Sequence, residues 1–321
     1  MSDPRPTLVW IRRDLRLSDH AALSAAEKRG GPVIPVFIRD GMVDGLGAAP
    51  KWRLGLGVEH YAQALRARGS RLILRSGKAR DVLLELAKSL GAGAVYWQRA
   101  YDPDSVARDT EVKSALKEAG IEAESFAGHV MFEPWSVETK QGGYYKVYTP
   151  YWRAVKDTEV ASPLPAPSRL PAPGNWPDSE ALEDWQLGAA MRRGADVVLP
   201  YVQLGEEAAQ GRLGGFMGSK VADYNDTRDL PGVDGTSCLS ENLSLGEISP
   251  QQCWHAGRRA MEEGKPGAET FLKELVWREF AYHLMWHSPR LLTDNWREEW
   301  DAFPWRDDER LREVKAWKQA R

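Results

Sequence analysis

The chain has 321 residues, of which 42% are hydrophobic and 28% charged, a balance that excludes a chain disordered throughout. Its 43 basic and 46 acidic residues give a net charge of −3, which does not indicate a nucleic-acid binder but leaves room for a local basic groove. There is no apolar run of eighteen residues, and the N-terminus MSDPRPTLVW lacks the pattern of a secretory signal. We therefore expect a cytoplasmic protein of about two domains that does not enter a membrane.

The first 130 residues alternate between short apolar runs and helical patterns. This alternation is typical of a parallel, Rossmann-like sheet covered by helices on both faces, with ligands at the carboxyl ends of the strands. The strands are predicted at 8–11, 33–38, 71–74 and 94–97. The helices are predicted at 21–29, 53–68, 79–90 and 105–119.

A cluster of six prolines between 163 and 177 follows, and it indicates an extended connector because proline suits neither a helix interior nor a central strand. Beyond it, from about residue 180, the patterns are helical. We therefore expect an α/β domain over residues 5–131, an interdomain linker over 132–200 and an all-α region over 201–321. The final segment ends within a charged helical pattern, which we interpret as an incomplete domain.

Motifs for metal or nucleotide binding are weak or absent in this sequence. No GxxxxGK[ST] loop is present, and two isolated GxG triplets favour turns. His283 and His287 are four residues apart, but Leu284 stands where a zinc peptidase needs a glutamate, so packed or hydrogen-bonded histidines are the better interpretation. Cys238 and Cys253 are too few for a disulfide framework or a cysteine zinc site. We expect no metal site.

Two later stretches have more specific chemistry. Residues 235–240 (GTSCLS) place hydroxyls and backbone N–H groups before a helical pattern, an arrangement suited to a phosphate. Further on, Glu274, Trp277, Arg278 and Ala281 fall on one face of a predicted helix. That face is either a solvated Glu–Arg pair with a tucked tryptophan or a surface for a planar polar ligand, and residue chemistry alone leaves the two nearly even.

Fourteen tryptophans occur in the chain, and four of them lie within the last 26 residues. Packing is the usual role of such residues, and a relay for electron transfer is the rarer one.

Five segments taken in order resemble the photolyase/cryptochrome family of blue-light flavoproteins, and among them most nearly the bacterial class I cyclobutane pyrimidine dimer photolyases. They are 10–17 (WIRRDLRL), 145–152 (YKVYTPYW), 224–240 ending in GTSCLS, 246–249 (GEIS) and 274–280 (ELVWREF). The resemblance implies an α/β antenna domain with a second chromophore, folate or another pigment, and a helical domain that holds FAD. It also implies light-driven electron transfer from reduced FAD that splits pyrimidine dimers in DNA, by a monomeric lyase.

The resemblance assigns roles residue by residue. Glu274 would hydrogen-bond the base edge of the lesion and Trp277 would stack on the flipped dimer, with Arg228 and Arg278 also facing DNA. Trp305 would be the outermost tryptophan of the chain that reduces the flavin. The residues expected to line FAD are Tyr224, Thr236, Ser237, Cys238, Leu239, Ser240 and Phe271.

Departures from the family pattern qualify these expectations. Cys238 stands where bacterial class I photolyases usually have arginine, and Phe271 where a flavin-contacting tryptophan is common. Asp104 and Ser105 replace the Asn and Glu of a folate-binding member. The chain also ends before the family's WMHNR stretch and a later Asp-rich flavin motif, so it resembles about two thirds of a photolyase.

Three hypotheses remain: a photolyase that repairs DNA, a cryptochrome-type light sensor, and a non-catalytic fragment that lacks a complete flavin site. Glu274 together with Trp277 favours repair over sensing, because many sensors lose one or both. The missing C-terminal motifs favour the fragment for this polypeptide.

Overall fold

The structure is a computed structural model that describes residues 5–306 and 308–319. Its first part is a five-stranded parallel sheet in the order β3-β2-β1-β4-β5, which confirms the predicted α/β fold. The strands are β1 Thr7–Ile11, β2 Val33–Arg39, β3 Ile73–Ser76, β4 Ala94–Gln98 and β5 Glu122–Phe126.

Helices connect the strands and cover both faces of the sheet. Val9 and Ile11 of the central strand pack toward α1 and α3, whereas Leu8 and Trp10 face α4 and α5. All five residues of β1 are buried, as a central parallel strand requires. These helices are α1 Ala21–Arg29, α2 Gly41–Asp44, α3 Ala48–Ala67, α4 Ala79–Ser89 and α5 Pro103–Glu118.

The proline-rich segment runs as an extended strap along the α/β domain. The Val33 amide donates to the Pro171 carbonyl (2.8 Å), and the Asp19 amide donates to the Leu164 carbonyl (2.7 Å). Leu170 is fully buried in the core beneath this strap. The expected linker 132–200 is not uniform, however, because Tyr151 and Trp152 within it belong to the core of the helical region.

The helical region packs around a second core that contains Phe216, Trp254, Leu272, Val276 and Phe280. From residue 205 onward the described residues form helices, turns and bends without a strand. Helices of the linker and of this region are α6 Tyr148–Val155, α7 Gly194–Val198, α8 Gly205–Ser219, α9 Tyr224–Thr227, α10 Ser240–Leu245, α11 Pro250–Glu262, α12 Ala268–His287 and α13 Arg312–Lys318. Among the described residues, no helix combines the length and apolarity needed to cross a bilayer.

Candidate functional site

Helix α12 is the longest helix of the second region and carries most of the predicted site. It begins after Gly267, where a side chain would collide with the neighbouring turn: an added Cβ would lie 2.8 Å from Cβ of Tyr224. Phe271, Leu275 and Phe280 anchor its inner face in the core. These core contacts of the inner face therefore fix the position of the predicted outer face.

Glu274 and Arg228 form an ion pair at the outer face of α12. Both side chains are partly exposed, and Arg228 also contacts Asp229 at 3.3 Å. The pair joins α12 to the end of α9, and its two residues are 46 positions apart in sequence. The structure thus brings together two of the predicted DNA-facing residues.

Trp277 lies one turn after Glu274 and is 45% exposed. One face of its indole is covered by Tyr148, whose ring lies parallel to it (ring centroids 3.7 Å apart, interplanar angle 9°). Phe280 borders the indole edge at 5.8 Å. A half-exposed tryptophan fixed on one face is a platform on which a planar ligand can stack.

Arg278 bonds to neighbouring protein groups, although we predicted that it lies on the outer face of α12 and is available to a ligand. Its Nη1 donates to Glu279 Oε1 (3.0 Å), and its Nη2 lies 3.3 Å from His129 Nε2. The guanidinium also stacks over Tyr282 at 4.9 Å. The physical reason is the neighbouring carboxylate: Glu279 is buried, and a charged partner helps to offset the cost of that burial.

Glu279 also holds the loop after β5. Its Oε2 accepts the backbone N–H groups of Met131 (2.6 Å) and Phe132 (3.2 Å). Burial raises the pKa of Glu279 to about 6 in spite of these donors and of Arg278. Burial, with Arg278 nearby, lowers the pKa of His129, so its ring is neutral at pH 7.

The loop 235–240 exposes most of its polar groups. Thr236 and Ser240 are exposed, and Ser237 is half-buried. Cys238 adopts a positive φ of 52°, uncommon for a residue other than glycine, and its carbonyl accepts a hydrogen bond from Arg212 (2.9 Å). The residue before α10, Leu239, is buried and provides no side-chain cap. Three hydroxyls around an uncapped turn fit the phosphate end of a dinucleotide.

Tyr224 and Phe271, both expected to contact FAD, lie in the core instead of an open cleft. They form an aromatic triangle with Phe216, at centroid distances of 5.2 Å (Phe216–Tyr224), 5.1 Å (Phe216–Phe271) and 6.4 Å (Tyr224–Phe271). Arg228 stacks over the Tyr224 ring at 5.8 Å. Tyr224 therefore lies beneath the guanidinium of the ion pair, and Leu239 of the loop belongs to the same core as the three rings.

Trp305 lies far along the chain from this cluster and is 58% exposed. It contacts Phe303 (ring centroids 4.7 Å), which is also exposed. This position is compatible with an outermost relay residue. The relay role remains a prediction.

A cavity of about 160 Å³ opens at the carboxyl edge of the sheet. Trp10 lies on its wall with the guanidinium groups of Arg12 (4.4 Å) and Arg108 (4.7 Å) over its ring. The buried Trp10 Nε1 and Gln98 Nε2 donors have no hydrogen-bond partner among the described residues. Ser105, one of the two residues that depart from the folate pattern, also lines the cavity. These features suit a planar ligand with hydrogen-bond acceptors.

Tyr148 and the residues of this cavity were not among our predicted site residues. Tyr148 lies within the YKVYTPYW segment, and Trp10 and Arg12 within WIRRDLRL, so the motifs indicated the regions but not the roles. His283 and His287 agree with the hydrogen-bonded interpretation, because both rings bond the Pro134 carbonyl, at 3.2 and 3.0 Å.

Neither cysteine is near a set of metal ligands. Cys253 is buried, which raises its pKa to about 12, and Cys238 is exposed. Within residues 5–306 and 308–319, no group of three histidine, cysteine or acidic side chains could hold a metal ion.

Comparison with known proteins gives two family matches. The model described as DNA photolyase matches residues 7–169, and the model described as the FAD binding domain of DNA photolyase matches residues 271–321. The first covers the sheet, Tyr148 and the cavity lining except Tyr282, and the second covers α12 from Phe271 onward.

Individual relatives extend over nearly the whole chain. A deoxyribodipyrimidine photo-lyase of Agrobacterium fabrum is 42% identical over 314 residues, which are 97% of this chain and 65% of the relative. One from Synechococcus is 34% identical and covers 98% of this chain and 67% of its own length. The chain thus spans about two thirds of the length of these curated relatives.

A solved structure corrects the expected class. The crystal structure of a bacterial class III photolyase from Agrobacterium tumefaciens is 40% identical, with a TM-score of 0.94 over 99% of this chain and 66% of that chain. The class I expectation was wrong because it rested on segments of the family as a whole. The departures at Cys238 and Phe271 were the available signals against it. The chain belongs to the DNA photolyase family.

Proposed function

We propose that this chain acts in the light-driven repair of cyclobutane pyrimidine dimers in DNA, by electron transfer from reduced FAD. The observation that carries the proposal is the half-exposed indole of Trp277 on α12, one turn after Glu274, whose carboxylate pairs with Arg228 at the end of α9. The named activity of the photo-lyase relatives supports it. Glu274 together with Trp277 favours repair over light sensing.

The outer face of α12 would recognise a dimer that has left the base stack. The open face of Trp277 would stack on it, an interaction worth about 1–3 kcal/mol per base. Glu274 would exchange its bond with Arg228 for one with the polar edge of the lesion. Arg228, thereby released, would face the DNA backbone, where a guanidinium pairs well with phosphate.

FAD would be held at its phosphates by the hydroxyls of Thr236, Ser237 and Ser240, next to Cys238 and Leu239. Tyr224 and Phe271 would support that loop from the core. When bound, FAD supplies the light-excited electron that opens the cyclobutane ring. Trp305 would be the exposed end of the route by which the flavin is reduced.

A second chromophore, folate or another pigment, would occupy the sheet-edge cavity as the antenna. The guanidinium groups over Trp10 and the free donors of Trp10 and Gln98 fit a flat heteroaromatic ring. Arg278 would act indirectly, by neutralising Glu279 and so fixing the loop between the cavity and α12. The protein would work as a monomer on DNA in the cytoplasm.

The test combines binding and repair on the purified chain. An absorption spectrum first measures bound flavin, and a dimer-containing single-stranded oligonucleotide is then titrated against its undamaged equivalent. Trp277→Ala should weaken dimer binding by about 1–3 kcal/mol, whereas Trp317→Ala, at an 80% exposed position on α13, should not. Blue light should then remove dimers when reduced FAD is bound.

Equal affinity of the wild-type chain for damaged and undamaged strands would overturn the proposal. A flavin band with photoreduction but without dimer loss would indicate a light sensor. A colourless chain that binds no added FAD would indicate a non-catalytic fragment.

A further inference from the structure

We infer that Tyr148 is a positioning residue for lesion recognition: it fixes the indole of Trp277 so that one face is presented to the flipped base. This inference rests on the proposed function. It concerns a residue outside α12, 129 positions earlier in the chain.

The geometry of the two rings is the first support. They are parallel within 9° with centroids 3.7 Å apart, so Tyr148 covers one face of the indole. Trp277 is nevertheless 45% exposed. That exposure must come from the opposite face and the edges. A base that stacks there would extend the existing stack of the Tyr148 and Trp277 rings.

The second support is the way in which Tyr148 is anchored. Its hydroxyl donates to the backbone carbonyl of Lys273 (2.5 Å). Lys273 precedes Trp277 by four residues on α12, so the same carbonyl accepts the helical hydrogen bond of the Trp277 amide. Burial raises the pKa of Tyr148, and the hydroxyl therefore remains a donor at neutral pH. The tyrosine ring is thus tied to the backbone that carries the indole.

The third support is that α6 has three buried anchors in the core besides this ring, which packs against the same core. Tyr151, Trp152 and Val155 are buried and attach the helix to the core. Tyr148 is the first residue of α6 and only half-buried. An exposed tryptophan on a helix would otherwise sample several rotamers, and fixing it in advance lowers the entropy lost on binding.

The test compares Tyr148→Leu, which removes the aromatic face, with Tyr148→Phe, which keeps the face and loses the anchor. Affinity is measured for a dimer-containing single strand and for its undamaged equivalent. Tyr148→Leu should weaken dimer binding about tenfold and leave binding to the undamaged strand unchanged. Tyr148→Phe should restore most of that loss.

A double-mutant cycle separates positioning from general support of the fold. In a Trp277→Ala background, Tyr148→Leu should cause no further loss of dimer affinity, because the indole it positions is absent. Circular dichroism monitors folding, and Tyr148→Met, which fills the space without an aromatic face, replaces Tyr148→Leu if that variant does not fold.

Two results would overturn the inference. One is wild-type dimer affinity in Tyr148→Leu, and the other is an equal loss with and without Trp277. Failure of the proposed function gives a different pattern, because the wild-type chain itself would then show no preference for the dimer.

Discussion

Arg53 on α3 forms a two-pronged ion pair with the fully buried carboxylate of Glu247, across the contact between the α/β domain and the helical region. The distances are 3.0 Å from Nη1 to Oε1 and 2.6 Å from Nη2 to Oε2. Asn242 donates to the same carboxylate at 2.6 Å, and Glu241 contacts the other side of the guanidinium at 3.1 Å. This network fixes how α10 sits against the α/β domain.

Arg53→Ala should therefore lower the free energy of unfolding by about 3–5 kcal/mol, because it leaves the Glu247 carboxylate buried without its counter-charge. Glu241→Gln removes the more exposed partner and should cost less than about 1 kcal/mol. Urea unfolding of both variants checks the difference. Equal stability of the two would show that the buried pair has no special role.

Gly246 ends α10 at a second contact between the two regions. Its φ is 67°, and an added Cβ would lie 2.7 Å from Cα of Asp14. Gly246→Ala should therefore lower the free energy of unfolding by about 1–2 kcal/mol for the left-handed backbone strain and by a further amount of about 1–3 kcal/mol for the collision. Gly264 has a similar φ of 78° and open space around it, so Gly264→Ala should cost only the strain.

The comparison of the two glycine variants by denaturant unfolding isolates the close approach of the chains. If Gly264→Ala were as destabilising as Gly246→Ala, backbone strain alone would account for both.

A substitution can fill the sheet-edge cavity without changing the loop 235–240, where we propose that FAD binds. Ala100 follows β4, is half-buried and lines the cavity. Ala100→Trp should abolish uptake of the antenna pigment, tested with a reduced folate and with flavin mononucleotide separately, and should leave FAD binding unchanged. Ala222→Trp, at an exposed site, is the control. Undiminished pigment uptake by Ala100→Trp, measured by its absorption band, would place the antenna elsewhere.

The sequence predicted those features that depend on local periodicity. The apolar run 8–11 became β1, and helix α1 has the predicted bounds, 21–29. Strand β5 was missed, because its sequence EAESF buries Ala123 but exposes Glu122 and Glu124 at the edge of the sheet. Such a strand lacks the apolar run by which its buried neighbours were found.

The same contrast between local pattern and long-range packing holds for the candidate site. Helical spacing placed Glu274 and Trp277 on one helix face, and the family resemblance added Arg228 and the roles of all three. Tyr148 was missed, because it lies 129 residues before Trp277 in sequence and meets it through tertiary packing. Arg278 was placed on the ligand face by helical spacing and by the family resemblance. Its long side chain turns to the buried Glu279 because an unpaired carboxylate there would be costly.

His283 leads to a pH prediction whose sign follows from its burial. Burial lowers the pKa of His283 to about 4, and the ring accepts a hydrogen bond from the Tyr145 amide at 3.1 Å. In the unfolded chain the pKa is near 6.5, so the unfolded state binds a proton first as the pH falls. The stabilisation contributed by the neutral His283 ring is therefore fully present above pH 6.5 and is lost between pH 6.5 and about 4. The free energy of unfolding should fall by roughly 2–3 kcal/mol over that range.

Two neighbours must be separated from this effect. Glu279, with its pKa raised to about 6, acts in the opposite direction between pH 4.5 and 6, and His287 bonds the same Pro134 carbonyl. The measurement is therefore the difference in free energy of unfolding between the wild type and His283→Gln, in which the other groups largely cancel. That difference should shrink as the pH falls from 6.5 to 4. A difference independent of pH would mean that His283 titrates alike in both states, which its burial argues against.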